Sequence, residues 1–285
     1  MSWTVLTPTD YFAALVAEDE GFALTEVAVS LAQDECPELD VQSVLNELDG
    51  LAMQLRQRLP ADASPVHKVR LLNHAFYEDL GFGSCDEDER TPEGSFVHEA
   101  LIGRHGLPVT LVLIYLELAG QLGLIADGVL FPGACLIKLR LPLGDAILEP
   151  ATGRSLSRET LQERFDQARQ RGLAPIGSGL GDSLRAAQPR ELIAHLLRHL
   201  ETVHRQNQDW TRLLAVQDRL VILLPQDWER RRDRGLTLAR LGRIPAAIDD
   251  LSQYLRQRPT APDCAGVRDR LRMLRDRDPR TPHSS

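Results

Sequence analysis

Lysine is almost missing from this chain: Lys68 and Lys138 stand alone, and the remaining cations are arginines. Aromatic residues are scarce at 5%. The arginines are interleaved with Asp and Glu and are not accompanied by an aromatic stacking platform, which argues against nucleic-acid binding. No run of about 18 apolar residues occurs, so no membrane span is expected. The opening Met1-Ser2-Trp3-Thr4 has no basic patch leading into an apolar stretch, which argues against a signal peptide. The four cysteines, Cys36, Cys85, Cys135 and Cys264, are scattered without a CxxC pair. That argues against a disulfide framework or zinc knuckle and fits a reducing cytoplasm best. No GxxxxGK[ST], GxGxxG or GxSxG is present, so nucleotide-binding and serine-hydrolase chemistry have no support. His195 and His199 have the i, i+4 spacing of zinc ligands, but His204 falls off that face and no third ligand is apparent. Asp86-Glu87-Asp88-Glu89 lacks the alternating ligands and glycine of a calcium loop and reads as a solvated turn. No metal and no cofactor are expected.

Charge is unevenly spread. Residues 183–285 carry 20 arginines against 13 acidic side chains, whereas residues 1–182 carry 13 basic against 28 acidic ones. The change of sign supports a boundary in the glycine-rich stretch 172–182. Ahead of it, 1–94 reads as a helical lead-in. Asp10 stands as an N-cap before Phe12, and helices follow over 24–33, 41–59 and 67–79, with Val44, Leu48 and Leu55 on one face of the third. The next part, 95–171, holds a short helix over 95–104 and a helix from Pro108 that is apolar nearly all round and belongs in a core. Period-two strands follow over 128–131, 134–140 and 146–148, the last two joined by Pro142-Leu143-Gly144-Asp145, and a helix covers 156–171. The chain therefore reads as α+β, with a buried helix and a small antiparallel sheet, followed by an all-α region over 183–275 and a frayed tail over 276–285.

The all-α region repeats itself. Pro225 and Pro259 lie 34 residues apart, and at the same offset Trp210 pairs with Ile244, Leu214 with Ile248 and Leu220 with Tyr254. This is the period of tetratricopeptide helix pairs. Gly235, Leu238, Gly242, Ala247 and Leu251 fit the repeat pattern, while Arg234 takes a place where Leu is usual.

Four motifs carry a resemblance. They are Leu72-Asn73-His74-Ala75-Phe76-Tyr77-Glu78, Ser95-Phe96-Val97-His98-Glu99-Ala100-Leu101, Arg104-His105-Gly106-Leu107-Pro108-Val109-Thr110-Leu111 and Phe131-Pro132-Gly133. With the trailing repeats, the chain resembles the bacterial SirB-type family, a transglutaminase-like domain followed by tetratricopeptide repeats. The resemblance implies a core related to thiol proteases but brings no firmly attached activity. A reacting domain of this kind needs a thiolate at the helix start, an imidazole on the next strand and a carboxylate on the strand after. The matching places here hold Pro108 to Thr110, Ala134 and Glu149, so the domain reads as degenerate. A remnant cleft would be lined by Asn73, His98, Glu99, Arg104, Thr110, Ala134 and Glu149. The same polar residues have a plainer role open to them, fixing loops and satisfying buried groups.

Two functional readings follow. The first is a non-enzymatic interaction or scaffold protein whose repeats hold a protein or peptide partner. Trp210, Trp228, Arg231, Arg234 and Tyr254 are its candidate contacts, and Arg230 to Arg232 with Arg240 would give a basic rim suited to an acidic segment. The second is a cysteine-dependent amidase, peptidase or acyltransferase that uses Cys135 with a displaced His98 or His105 as base and Glu149 as orienting group. Beside Leu136 and Ile137, Cys135 reads more simply as a small apolar residue filling a strand. Cys85 sits in an acidic loop that would raise its pKa, which makes it a poor nucleophile.

Overall fold

The computed structural model describes residues 7–18, 21–84 and 91–277. Cys85, the acidic run 86–89 and the tail from 278 lie outside the described residues. The chain divides into two compact units, one of residues 18–196 and one of residues up to 17 together with those from 197 on. The first helix, α1 (Pro8–Leu15), therefore groups with the C-terminal unit, where it packs on the second repeat-region helix. Its N-cap is Thr7, not Asp10. Pro8 fits the first helical position, where its missing N–H has no partner to lose, so the cap falls one residue earlier. Asp10 closes a capping box by accepting from the Thr7 hydroxyl at 2.6 Å and the Thr7 N–H at 3.2 Å.

The first unit opens with α2 (Leu24–Ser30), α3 (Val41–Gln57) and α4 (Pro65–Asn73). Val44, Leu48, Ala52 and Leu55 form the buried stripe of α3. After α4 the backbone widens into a π-turn, His74–Asp79, where one continuous helix was expected. The turn brings Ala75 and Phe76 inward. α5 (Val97–Gly103) ends at Arg104, which takes a left-handed φ of 61°. The short strands β1 (Gly83–Ser84) and β2 (His105–Gly106) pair in parallel just before α6 (Pro108–Gln121). As its sequence requires, α6 is almost wholly buried, from Val109 to Tyr115 and again at Leu118 and Ala119.

The sheet is antiparallel in the order β3 (Ile125–Phe131), β4 (Ala134–Leu141), β5 (Gly144–Leu148), with Gly128 opposite Ile137 and Ile137 opposite Leu148. β3 starts three residues earlier than the alternation suggested. Leu141 pairs with Gly144, so Pro142-Leu143 alone makes the turn. α6 packs on β3 and β4. A Cβ on Gly128 would sit 3.2 Å from Val112 Cγ1 and 2.9 Å from a Leu192 methyl, so glycine lets the helices approach β3 closely. Val129, Leu136 and Ile147 pack with Leu161 and Phe165 of α7 (Arg158–Gln170). The glycine-rich stretch read as a linker turns back onto this cluster through Ala174 and Leu180, the latter in α8 (Leu180–Ser183).

α9 (Pro189–Gln206) contributes its first residues to one unit and the rest to the other. The second unit continues with α10 (Trp210–Leu223), α11 (Trp228–Arg240), α12 (Ile244–Gln257) and α13 (Cys264–Asp276). α10 and α12 start 34 residues apart, the offset read in the sequence. Leu214, Leu238, Ala247, Leu251, Tyr254, Val267 and Leu271 form their common core. A Cβ on Gly235 would come within 3.1 Å of both Leu251 and Asp250, which explains glycine where α11 crosses α12.

Candidate functional site

Thiol chemistry in the first unit would centre on the start of α6. Leu107 is the N-cap and offers no capping side chain. The Gly94 carbonyl instead accepts from the Leu107 N–H at 2.8 Å and from the Thr110 hydroxyl at 2.9 Å. Thr110 is fully buried, and its hydroxyl is occupied by this loop contact. Gly106 permits the tight approach, since a Cβ there would lie 3.1 Å from Ala100 Cβ.

The other polar residues of the expected cleft are engaged in similar ways. Asn73 Oδ1 accepts from the buried Tyr115 hydroxyl at 2.7 Å, and burial raises the pKa of that phenol. The Arg104 guanidinium lies 5.1 Å over the Phe82 ring, and its backbone carbonyl accepts from the Gly83 N–H. His98 is buried, with Nε2 3.3 Å from a Glu99 oxygen. Its Nδ1 and the Ser95 hydroxyl are buried without a partner among the described residues. His105 is exposed, with Nδ1 2.7 Å from the Gly103 carbonyl. Glu149 accepts from Arg164 Nη2 at 2.9 Å and from the Thr152 hydroxyl at 3.4 Å, while Ala134 packs beside the cluster of Phe131 and Leu136.

Cys135 is buried in β4, and that burial pushes its thiol up to about 12. A nucleophilic thiol needs a shift the other way. Among the described residues no imidazole hydrogen-bonds to Cys135 or to Glu149, so the four candidate catalytic groups form no hydrogen-bonded relay there. The same unit has a cavity of about 370 Å³ bordered by Lys138, Ser155, Leu156, Arg158, Leu180 and Leu184. Lys138 pairs there with Asp145 at 2.9 Å. Among the described residues no group of three or more His, Cys, Asp or Glu is placed to hold a metal ion.

The second unit contains a groove of about 660 Å³. Arg205 from α9, Arg232, Asp233, Leu236, Thr237 and Arg240 from α11, and Arg270 from α13 line it, and Trp210 and Leu213 at the start of α10 complete the floor. The α11 residues 233, 236, 237 and 240 share one helix face. Arg205 is paired to Glu201 at 2.8 Å, and Arg232 to Asp233 at 2.6 Å and to Asp263. Arg240 stacks over Trp210 with its guanidinium carbon 4.0 Å from the ring centre. Among the described residues neither Arg240 nor Arg270 is in an ion pair.

Of the five partner contacts expected from the sequence, Trp210 lines this groove and the other four do not. Arg234 makes two bonds to Asp250, at 2.7 and 2.8 Å, and one to Asp218 at 3.0 Å. Burial pushes the Asp218 carboxyl up, against the pull of Arg234. Arg231 donates to Gln253 at 3.0 Å and lies over Trp228, which packs on the repeat core. Tyr254 is 1% exposed and donates to Asp263 at 2.6 Å. These residues join the repeats to one another because they project from α11 and α12 between helices. Arg205, Leu213, Leu236 and Arg270 were missed by sequence reasoning. The signal available was the pairing of every second helix on one side of a repeat array.

Residues 42–198 match the transglutaminase-like superfamily, and residues 200–272 match the tetratricopeptide repeat family. A UPF0162 protein of Xylella fastidiosa is 31% identical over 259 residues, spanning 89% of this chain and 90% of the relative. The UPF0162 protein YchA of Escherichia coli is 27% identical over 238 residues, 83% of this chain and 86% of its own. Protein SirB1 of Salmonella typhimurium is 25% identical over 234 residues, 82% and 86% of the two chains. No solved structure matches the chain.

Proposed function

The chain belongs to the bacterial UPF0162/SirB1 family, with a transglutaminase-like domain ahead of tetratricopeptide repeats, and we propose that it is a non-catalytic interaction protein of the cytoplasm. In this reading the repeat region holds a protein partner and the transglutaminase-like domain is a scaffold. The observation that carries the reading is the groove over α9, α11 and α13, with its apolar floor and arginine rim. Tetratricopeptide repeats generally mediate protein–protein contact, and the curved face of a helical array is the surface such repeats offer. The scaffold role is supported by residue chemistry at the start of α6. Pro108 to Thr110 supply no thiol there, Ala134 supplies no imidazole, and the Cys135 thiol is held neutral by burial. Among the described residues no helix is long and apolar enough to cross a membrane.

The test is site-specific photocrosslinking in cells, with a crosslinking amino acid at Leu236 of the full chain and, as a comparison, at the exposed Met53. The expected result is discrete protein adducts from position 236 that disappear with Trp210→Ala, a partly exposed groove residue. Adducts from position 53 alone, with none from 236, would sink the proposal.

A further inference from the structure

Resting on the partner-holding reading above, we infer that the groove is built for one chemical class of partner: an amphipathic protein segment in which carboxylates flank an apolar residue, anchored by Arg240 and Arg270. Four arginines line the groove against a single acid, Asp233. They are not equivalent. Arg205 is neutralised by Glu201, and Arg232 by Asp233 and Asp263. Their charge is used within the fold, and a ligand would have to compete for them. Arg240 on α11 and Arg270 on α13 keep their charge unmatched among the described residues. Arg240 is also held in place by the Trp210 ring beneath it, which limits the side-chain freedom lost on binding.

Between these cations the surface is apolar. Leu236 is 40% exposed and Trp210 partly so, and the buried Leu213 also lines the groove. A leucine or phenylalanine seated there, with Asp or Glu on either side, would satisfy both features. Carboxylate pairing with arginine is directional and bidentate, so the two anchors also set the register. A nucleic acid fits less well. The Trp210 face that a base would stack on is taken by Arg240.

The experiment selects ligands for the full chain from a displayed library of random twelve-residue peptides. An enriched peptide is then synthesised beside a copy with each Asp or Glu changed to Asn or Gln, and a twelve-nucleotide oligouridylate is measured in parallel. Enriched peptides are expected to carry two carboxylates around an apolar residue. Their affinity should fall about tenfold or more in the amide copy, in Arg240→Gln and in Arg270→Gln. Arg256→Gln, on α12 and not lining the groove, should change it little. Arg240 is exposed and Arg270 partly so, and unchanged thermal melting verifies that these variants are folded. Enrichment of neutral peptides whose binding is lost in Leu236→Asp would overturn the acidic anchor and leave the partner-holding reading in place. No enriched peptide, or peptides indifferent to every groove substitution, would overturn both. Oligouridylate bound more tightly than any peptide, and lost in Arg240→Gln, would overturn the inference in favour of RNA.

Discussion

Replacing Glu201 should loosen the repeat unit more than any exposed substitution of similar size. Glu201 is 3% exposed on α9. Its carboxylate accepts from Arg230 of α11 at 2.9 Å, from Gln217 of α10 at 3.1 Å and from Arg205 one turn along α9 at 2.8 Å. Three helices therefore meet on one acid. The Arg205 bond counts for little, because that side chain is 52% exposed and solvent screens the pair. The cost lies in the other two. Glu201→Ala removes the acceptor of the buried Gln217 and the nearest acid of Arg230, which keeps Asp227 at 3.4 Å and Asp233 at 3.8 Å, so the loss is about 2–4 kcal/mol, below that of a fully stranded buried charge. Urea unfolding of the full chain gives the total, and amide hydrogen exchange over α9 to α11 locates it. A double variant, Glu201→Leu with Arg230→Met, should recover much of the loss, since apolar groups of similar volume tolerate burial without partners. A loss below about 1 kcal/mol in Glu201→Ala, or exchange unchanged across α9 to α11, would refute the reasoning.

Two further substitutions probe the first unit. Asn73→Leu removes the acceptor of the buried Tyr115 hydroxyl and should cost about 1–3 kcal/mol in urea unfolding, most of it recovered by adding Tyr115→Phe. Gly153→Ala forces a side chain onto a residue with φ of 68° and drives its Cβ into the Tyr77 ring. Overpacking and left-handed strain together predict a loss of about 2–4 kcal/mol by the same measurement.

Much of this architecture is legible in the sequence because local signals and tertiary need agree. α6 has no polar face, so only burial suits it. Pro142-Leu143 between alternating stretches marks a hairpin, and the 34-residue offset fixes α10 and α12. What was not legible depends on contacts distant in sequence. Nothing within Pro8–Leu15 says that it packs on α10. Five clustered arginines look alike as letters, yet Arg234 is tied to Asp250 and Asp218 while Arg240 has no acidic partner among the described residues. Tyr254 looks like a binding aromatic until its ring is found in the repeat core. The expected cleft residues Asn73, Thr110 and Glu149 were recognised as polar and placed near α6, but only the fold reveals Tyr115, Gly94 and Arg164 as their partners.

The most direct test of the proposal that the transglutaminase-like domain is non-catalytic is peptide-resolved alkylation of Cys135 with iodoacetamide across pH 6–10. The partly buried Cys36 serves as an internal comparison. With its thiol pushed up to about 12, Cys135 should react far more slowly than Cys36, show no plateau in this range and be unaffected by His98→Ala or His105→Ala. A thiolate forming below about pH 7, and lost when either imidazole is removed, would contradict the claim and point to catalysis.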